Sequence, residues 1–305
     1  MNTPVVSTLV LFPGALGDLL CCWPALDGLI ATGHALTLAA RSDAAGVFPT
    51  DAPRICSIER RELVELFATA PLTDTARRFF AGFDRVDSFT GAAQATFAER
   101  LASAAGRSAS VHPFRGMRPG EHATAYFARC LDVAPRFRAL PIRDEAAAWA
   151  ASLWSRHRLG DRVLALHPGS GGAAKNWEGM TDTARAWRRS GGQVVALLGP
   201  AEIERGATVP PDAADVMIVG EPLTRVAAAL RRAHRYLGND SGVSHLAGVI
   251  DVPAVVLFGD TDPATWAPSG PRVRVQRGAA GCTACGPARF CTHRLSVATV
   301  LAALR

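Results

Sequence analysis

Short apolar runs alternate along the chain with stretches whose apolar positions recur at helical spacing. Residues 5–12, VVSTLVLF, are almost continuously apolar and predict a strand buried on both faces. Comparable runs predict strands at 34–40, 55–58, 85–89, 108–112, 163–167, 193–199, 216–219, 235–237 and 254–258. Between them, three-and-four spacing predicts helices at 19–31, 61–68, 73–81, 92–104, 121–131, 144–157, 182–189, 223–233 and 242–250, the first with a kink at Pro24. Such alternation predicts mostly parallel sheets with right-handed crossovers. It restarts after the proline-flanked stretch 135–141, so the expected fold class is α/β, with two Rossmann-like domains, 1–141 and 142–305.

Three strand ends carry the chemistry. P-G-A-L-G-D follows the first run, as a loop over 13–18 that holds Gly17 and Asp18. Ligands of open α/β sheets bind at such carboxyl ends. Asp18 there is either a base for a substrate hydroxyl or a helix N-cap. H-P-G-S-G-G follows the run at 163–167, with Lys175, Asn176 and Trp177 beyond it. Its glycines, Gly169 among them, let a backbone approach a ligand and expose N–H groups to it beside Ser170. N-D-S-G-V-S-H, 239–245, opens the helix predicted at 242–250. Its backbone amides and helix dipole suit an anionic phosphate at Asp240, Ser241 and Gly242, and His245 adds a donor one turn on. Glu221, just after a strand, is a candidate partner for a ribose hydroxyl.

Composition narrows the function classes. The 305 residues are 49% apolar, as a well-packed globular chain requires. The formal charge of +6 is spread without a like-charged block, which argues against nucleic acid as the partner. Lys175 is the only lysine; every other cation is Arg or His. A compact ammonium on a flexible stem fits a phosphate oxygen in a tight pocket where a planar guanidinium does not. The absence of a basic leader, of a spanning apolar run and of an even cysteine framework (there are seven cysteines) leads to the expectation of a cytoplasmic protein. Neither glycine loop fits G-x-x-x-x-G-K-[ST] or G-x-G-x-x-G, which excludes ordinary NTPase and dinucleotide oxidoreductase readings.

The chain resembles the glycosyltransferase family 9 heptosyltransferases. The pattern N-D-[ST]-G-x-x-H-L-A followed by V-P-x-x-x-L-F-G-x-T-D-P runs from Asn239 to Pro263. Gly17-Asp18, then Pro24-Ala25-Leu26, match near the N-terminus, and His167-Pro168-Gly169-Ser170 with Lys175 and Trp177 match in the middle. The resemblance implies a GT-B type fold, two Rossmann-like domains facing a central cleft. It implies an acceptor-binding domain at 1–141 and a donor-binding domain at 142–305, with the last helix packing back on the first. It further implies an inverting, metal-independent transfer of heptose from ADP-heptose to a lipopolysaccharide-core or other glycan acceptor. Asp18 would be the base, and Lys175 would neutralise the departing diphosphate. Peripheral contact with the inner membrane surface follows from such an acceptor. The alternatives are a glycosyltransferase of the same family with another donor or acceptor, a sugar-nucleotide epimerase or hydrolase of the same fold, and a nucleotide-sugar-binding protein without transferase activity.

Three further features invite readings of their own. His112 and Arg115, after a first-half strand, are candidates for an anionic acceptor. Asp260 and Asp262 invite a Mg²⁺ reading. The resemblance favours Asp262 as a turn-former and leaves Asp260 open. Cys282-x-x-Cys285, with Cys291 and His293 beyond, has four ligands of the kind zinc takes.

Overall fold

The computed structural model describes residues 5–41, 44, 46–48, 53–105, 108–282, 286 and 289–305. It divides into two compact units, Met1–Arg138 and Ala139–Arg305.

In the first unit five parallel strands, β1 (Ser7–Leu11), β2 (Ala35–Ala40), β3 (Arg54–Ser57), β4 (Arg85–Ser88) and β5 (Ala109–Val111), lie in the order β3-β2-β1-β4-β5. Central β1 pairs Ser7 with Ala35 of β2 and Thr8 with Arg85 of β4, and Leu9 to Phe12 are wholly buried. The helix Leu16–Ala31 follows at once, with Ala15 at its N-cap. Gly17 and Asp18 therefore lie in a helical first turn, not in the loop expected over 13–18. Glycine costs little there, where the amides lack intrahelical partners, and an acidic group is favoured by the dipole. Phe12, Phe89 and Phe127 meet edge-on beside β1, with centroids 5.2–5.6 Å apart.

The second unit has six parallel strands: β6 (Val163–His167), β7 (Gln193–Leu198), β8 (Val216–Val219), β9 (Arg235–Asn239), β10 (Ala254–Phe258) and β11 (Val273–Arg277). Their order, β11-β10-β9-β6-β7-β8, is the Rossmann arrangement, reversing between β6 and β9. β9 extends two residues beyond expectation, because Asn239 is fully buried and registers with Leu257 of β10. β11 was not expected. Its V-R-V-Q-R sequence lacks a continuous apolar run, which an edge strand does not need. The last helix, Val297–Ala303, seats Val300 and Leu304 among Trp177, Met180 and Trp187.

Candidate functional site

The candidate site is built where β6 and β9 part, the switch point at which open α/β sheets bind ligands. Asn239 closes it from below. Its Oδ1 accepts from the Trp177 amide at 3.0 Å, and its Nδ2 donates to Pro168 O at 2.7 Å and Gly169 O at 3.4 Å. One buried side chain thus pins both ends of the loop after β6 to the end of β9. Ser170 Oγ lies 2.7 Å from both Gly172 O and Asn176 Oδ1, and Arg205 donates to Ser170 O at 3.0 Å, so the loop is held in a fixed curl.

Lys175 ends a 3₁₀ turn, Ala173–Lys175, and its Nζ donates to Asp240 Oδ2 at 2.5 Å. The Lys175 side chain is 45% exposed while that of Asp240 is 10% exposed. A half-exposed ion pair contributes little to stability, so its geometry positions an ammonium at little cost to an incoming anion. The helix Gly242–Val249 starts beside it, with Ser241 as N-cap accepting from the Ser244 amide. Ser244 Oγ in turn donates to Asn239 O at 2.5 Å and meets Tyr236 Oη at 2.9 Å. Burial pushes the Tyr236 phenol well above its ordinary value, so it stays a neutral hydrogen-bonding group.

Behind this seat runs a buried polar chain. Ser241 Oγ is 3.2 Å from His167 Nδ1, and His167 Nε2 is 3.4 Å from Glu202 Oε2, which also accepts from the Gly199 amide at 2.9 Å. Burial acts to raise the Glu202 pKa, but the His167 hydrogen bond and charge, aided by the Gly199 amide, outweigh it and hold the carboxyl below its usual range. A Cβ on Gly169 would sit 1.8 Å from Glu202 Oε1, so only glycine lets the loop pass.

Of the residues expected from sequence, Gly169, Ser170, Lys175, Asp240, Ser241 and Gly242 gather here. His245 is 5% exposed, one turn into the helix. Glu221 stands after edge strand β8, two strands from β6 and so roughly 10 Å across the sheet, with its carboxylate on Arg225 at 2.9 Å. Glu202 and Arg205 were not anticipated, and Asn239 was quoted only as part of a motif. Glu202 had one local signal, its place as third helical residue after Gly199, where a glutamate caps the helix start. Asp262 is the N-cap of Pro263–Trp266, the turn role expected, and Asp260 is taken up by Arg289 at 2.9 Å. Cys282, Cys291 and His293 form one cluster; Cys285 lies outside the described residues.

In the first unit Asp18 is partly buried in the first turn of its helix, and Ala15, not Asp18, is the N-cap. The capping alternative for Asp18 is thereby removed. Gly14 keeps the turn tight, because a Cβ there would meet Phe12, Phe114 and the Asp18 Cβ within 2.6–2.9 Å. At the β5 end, His112 Nε2 is 3.0 Å from Asp87 Oδ1, and Arg85 holds the other Asp87 oxygen at 2.6 Å. Burial depresses the His112 pKa, but Asp87 and Cys130 reverse this and raise it to about 9. His112 is therefore an imidazolium at neutral pH, and Arg115 nearby in sequence is exposed.

Two Rossmann-like units, one with Lys175 and a helix start brought together at its switch point, define a protein of the GT-B class. The chain belongs to glycosyltransferase family 9 (heptosyltransferase), whose pattern matches residues 123–289, more than half of its length. It is 26% identical over 144 residues to lipopolysaccharide heptosyltransferase 3 of Escherichia coli, a match covering 42% of each protein. Its fold is similar to that of a family 9 glycosyl transferase from Veillonella parvula DSM 2008, with a TM-score of 0.77 and 19% identity over 98% of this chain and 95% of the other. It is also similar to the E. coli ADP-heptose lps heptosyltransferase II, with a TM-score of 0.72 and 16% identity over 98% and 97% of the two chains. No helix among the described residues is long and apolar enough to cross a membrane.

Proposed function

We propose that the protein is an inverting glycosyltransferase that moves heptose from ADP-heptose to a lipopolysaccharide-core or other glycan acceptor. The observation that carries this reading is the anchored Lys175 beside the Gly242 helix start, at the β6–β9 switch point. The second unit binds the donor diphosphate through Gly169, Ser170, Lys175, Ser241 and the first-turn amides, and Glu221 takes the ribose. The first unit carries the base and binds the acceptor. Asp18 accepts the proton of the acceptor hydroxyl as its oxygen bonds to the anomeric carbon, and the bond to the diphosphate breaks on the opposite face. Negative charge then grows on the diphosphate, where Lys175 and the helix dipole stabilise it more than in the ground state. His112, an imidazolium, and exposed Arg115 suit an anionic group on the acceptor. The chemistry needs no metal, and the enzyme works in the cytoplasm with peripheral contact at the inner membrane surface.

Calorimetric titration of ADP, GDP and UDP, with and without Mg²⁺, into wild type and Lys175→Ala tests the donor site. Selective, Mg²⁺-independent ADP binding is expected. Losing a charge-assisted contact of about 1.5–3 kcal/mol weakens it roughly 10- to 100-fold in the variant. Equal affinity for all three nucleotides, or none affected by Lys175, overturns the assignment. Asp18→Ala separates transfer from binding: a variant that binds ADP but transfers nothing supports the base, and one with wild-type turnover removes it.

A further inference from the structure

Beyond the transfer site the second unit holds a cluster that the proposed reaction does not use. The chain leaves β11 at Arg277 and turns through Gly278, whose amide donates to Phe258 O at 2.8 Å. A Cβ on Gly278 would lie 1.9 Å from Cys291 O, so glycine there lets the 291 strand of chain lie against the end of the sheet. The Cys291 amide then donates to Ala279 O at 3.2 Å. Two thiols and one imidazole converge on this clasp. The ligand atoms of Cys282, Cys291 and His293 all lie within 4.8 Å of one another. Cys282 and Cys291 are 8% and 5% exposed, and His293 is on the solvent side.

We propose that Cys282, Cys291 and His293 bind a tetrahedral, thiolate-preferring divalent cation, Zn²⁺ being its simplest representative. The geometry suits the ion. Metal–sulfur bonds of about 2.3 Å set tetrahedral ligand atoms roughly 3.8 Å apart, so the cluster closes onto a cation with small side-chain movements. Gly286 N donates to Cys282 O at 2.9 Å, the two residues form an isolated bridge, and Gly286 has a φ of 98°, which favours glycine. The sequence C-T-A-C-G over 282–286 is the Cys-x-x-Cys spacing of structural metal sites. Binding replaces the two thiol protons with the cation, so two protons are released and no electron moves.

The cation's role is to staple the segment that backs the donor loop. Trp177, two residues after Lys175, donates its indole N–H to Leu295 O at 3.2 Å, and Glu178 Oε1 is 3.7 Å from His293 Nε2. Residues 291–295 therefore connect the cluster to the loop that Asn239 pins, and the helix at Val297 begins just beyond.

The test uses tag-free full-length protein, loaded with Zn²⁺ and dialysed, with metal counted by mass spectrometry. One Zn²⁺ per chain is expected in wild type, with at least a tenfold loss of affinity in His293→Gln. That side chain is 40% exposed, so the variant keeps its fold. Co²⁺ in place of Zn²⁺ is expected to give sulfur-to-cobalt absorption and tetrahedral visible bands in wild type, both lost in Cys291→Ser. No stoichiometric metal in folded wild type, metal equally retained in both variants, or a Cys282–Cys291 disulfide in anaerobically purified protein each overturns the proposal. Metal content is read without nucleotide, so its failure leaves the ADP titration untouched.

Discussion

His112 shows how a single residue converts environment into charge. Its pKa, raised from 6.5 to about 9 against burial, means that its contacts with buried Asp87 and with Cys130 together add stability that is fully present below about pH 6.5 and fades as pH climbs through 9. At roughly 1.4 kcal/mol per pH unit the limit is about 3 kcal/mol, reduced because water reaches part of the ring. Melting temperatures of wild type and His112→Gln measured from pH 6 to 10 are expected to differ most at the acidic end and to converge at the alkaline end. A constant gap across that range refutes the charged pairing. Local backbone also places the other two candidates: Asp18 stands in an early helix start, and Lys175 ends a 3₁₀ turn and is held by Asp240.

At the scale of elements, the loop after β6 depends on close approach as much as on hydrogen bonds. Gly169→Ala places a methyl 1.8 Å from Glu202 Oε1, on a carboxylate whose other oxygen His167 and the Gly199 amide already hold. Because Glu202 is buried, the loop must yield, at a cost of about 1–3 kcal/mol. Thermal unfolding and ADP titration of this variant are expected to show both a lower melting point and weaker binding. An unchanged melting point would mean that the loop is free to move. The fold class, the β6 strand and the three glycine-rich strand ends were legible in the sequence, because buried parallel strands write themselves as apolar runs. Two things were not. β11 alternates arginine with valine at a sheet edge, and the helix at Leu16 begins at an alanine cap with no polar start signal. The His167–Glu202 contact spans 35 residues of chain and leaves no local periodicity to read. Asn239 was visible as a letter of a motif, but its work, bonding to Pro168 and Trp177, belongs to the tertiary structure.

For the whole molecule, the deciding fact is that each unit closes its own core. Leu9, Leu11, Phe80, Val86 and Phe97 pack together in the first, and Leu164, Trp177, Trp187, Leu237 and Leu257 in the second. Each has a complete parallel sheet, and each is of ordinary domain size. Every side chain assigned to the donor lies in the second unit and every one assigned to the base and acceptor in the first. The proposed reaction therefore divides along the same line as the cores. Residues 139–305 produced alone are expected to unfold cooperatively and to bind ADP within about tenfold of the intact protein, a difference of ~1.4 kcal/mol. They are expected to catalyse no transfer, because Asp18 is missing. Circular dichroism, calorimetry and a transfer assay on this fragment check the three expectations separately. A folded fragment that binds no ADP would move part of the donor site into the first unit, and one that still transfers sugar would remove Asp18 from the chemistry.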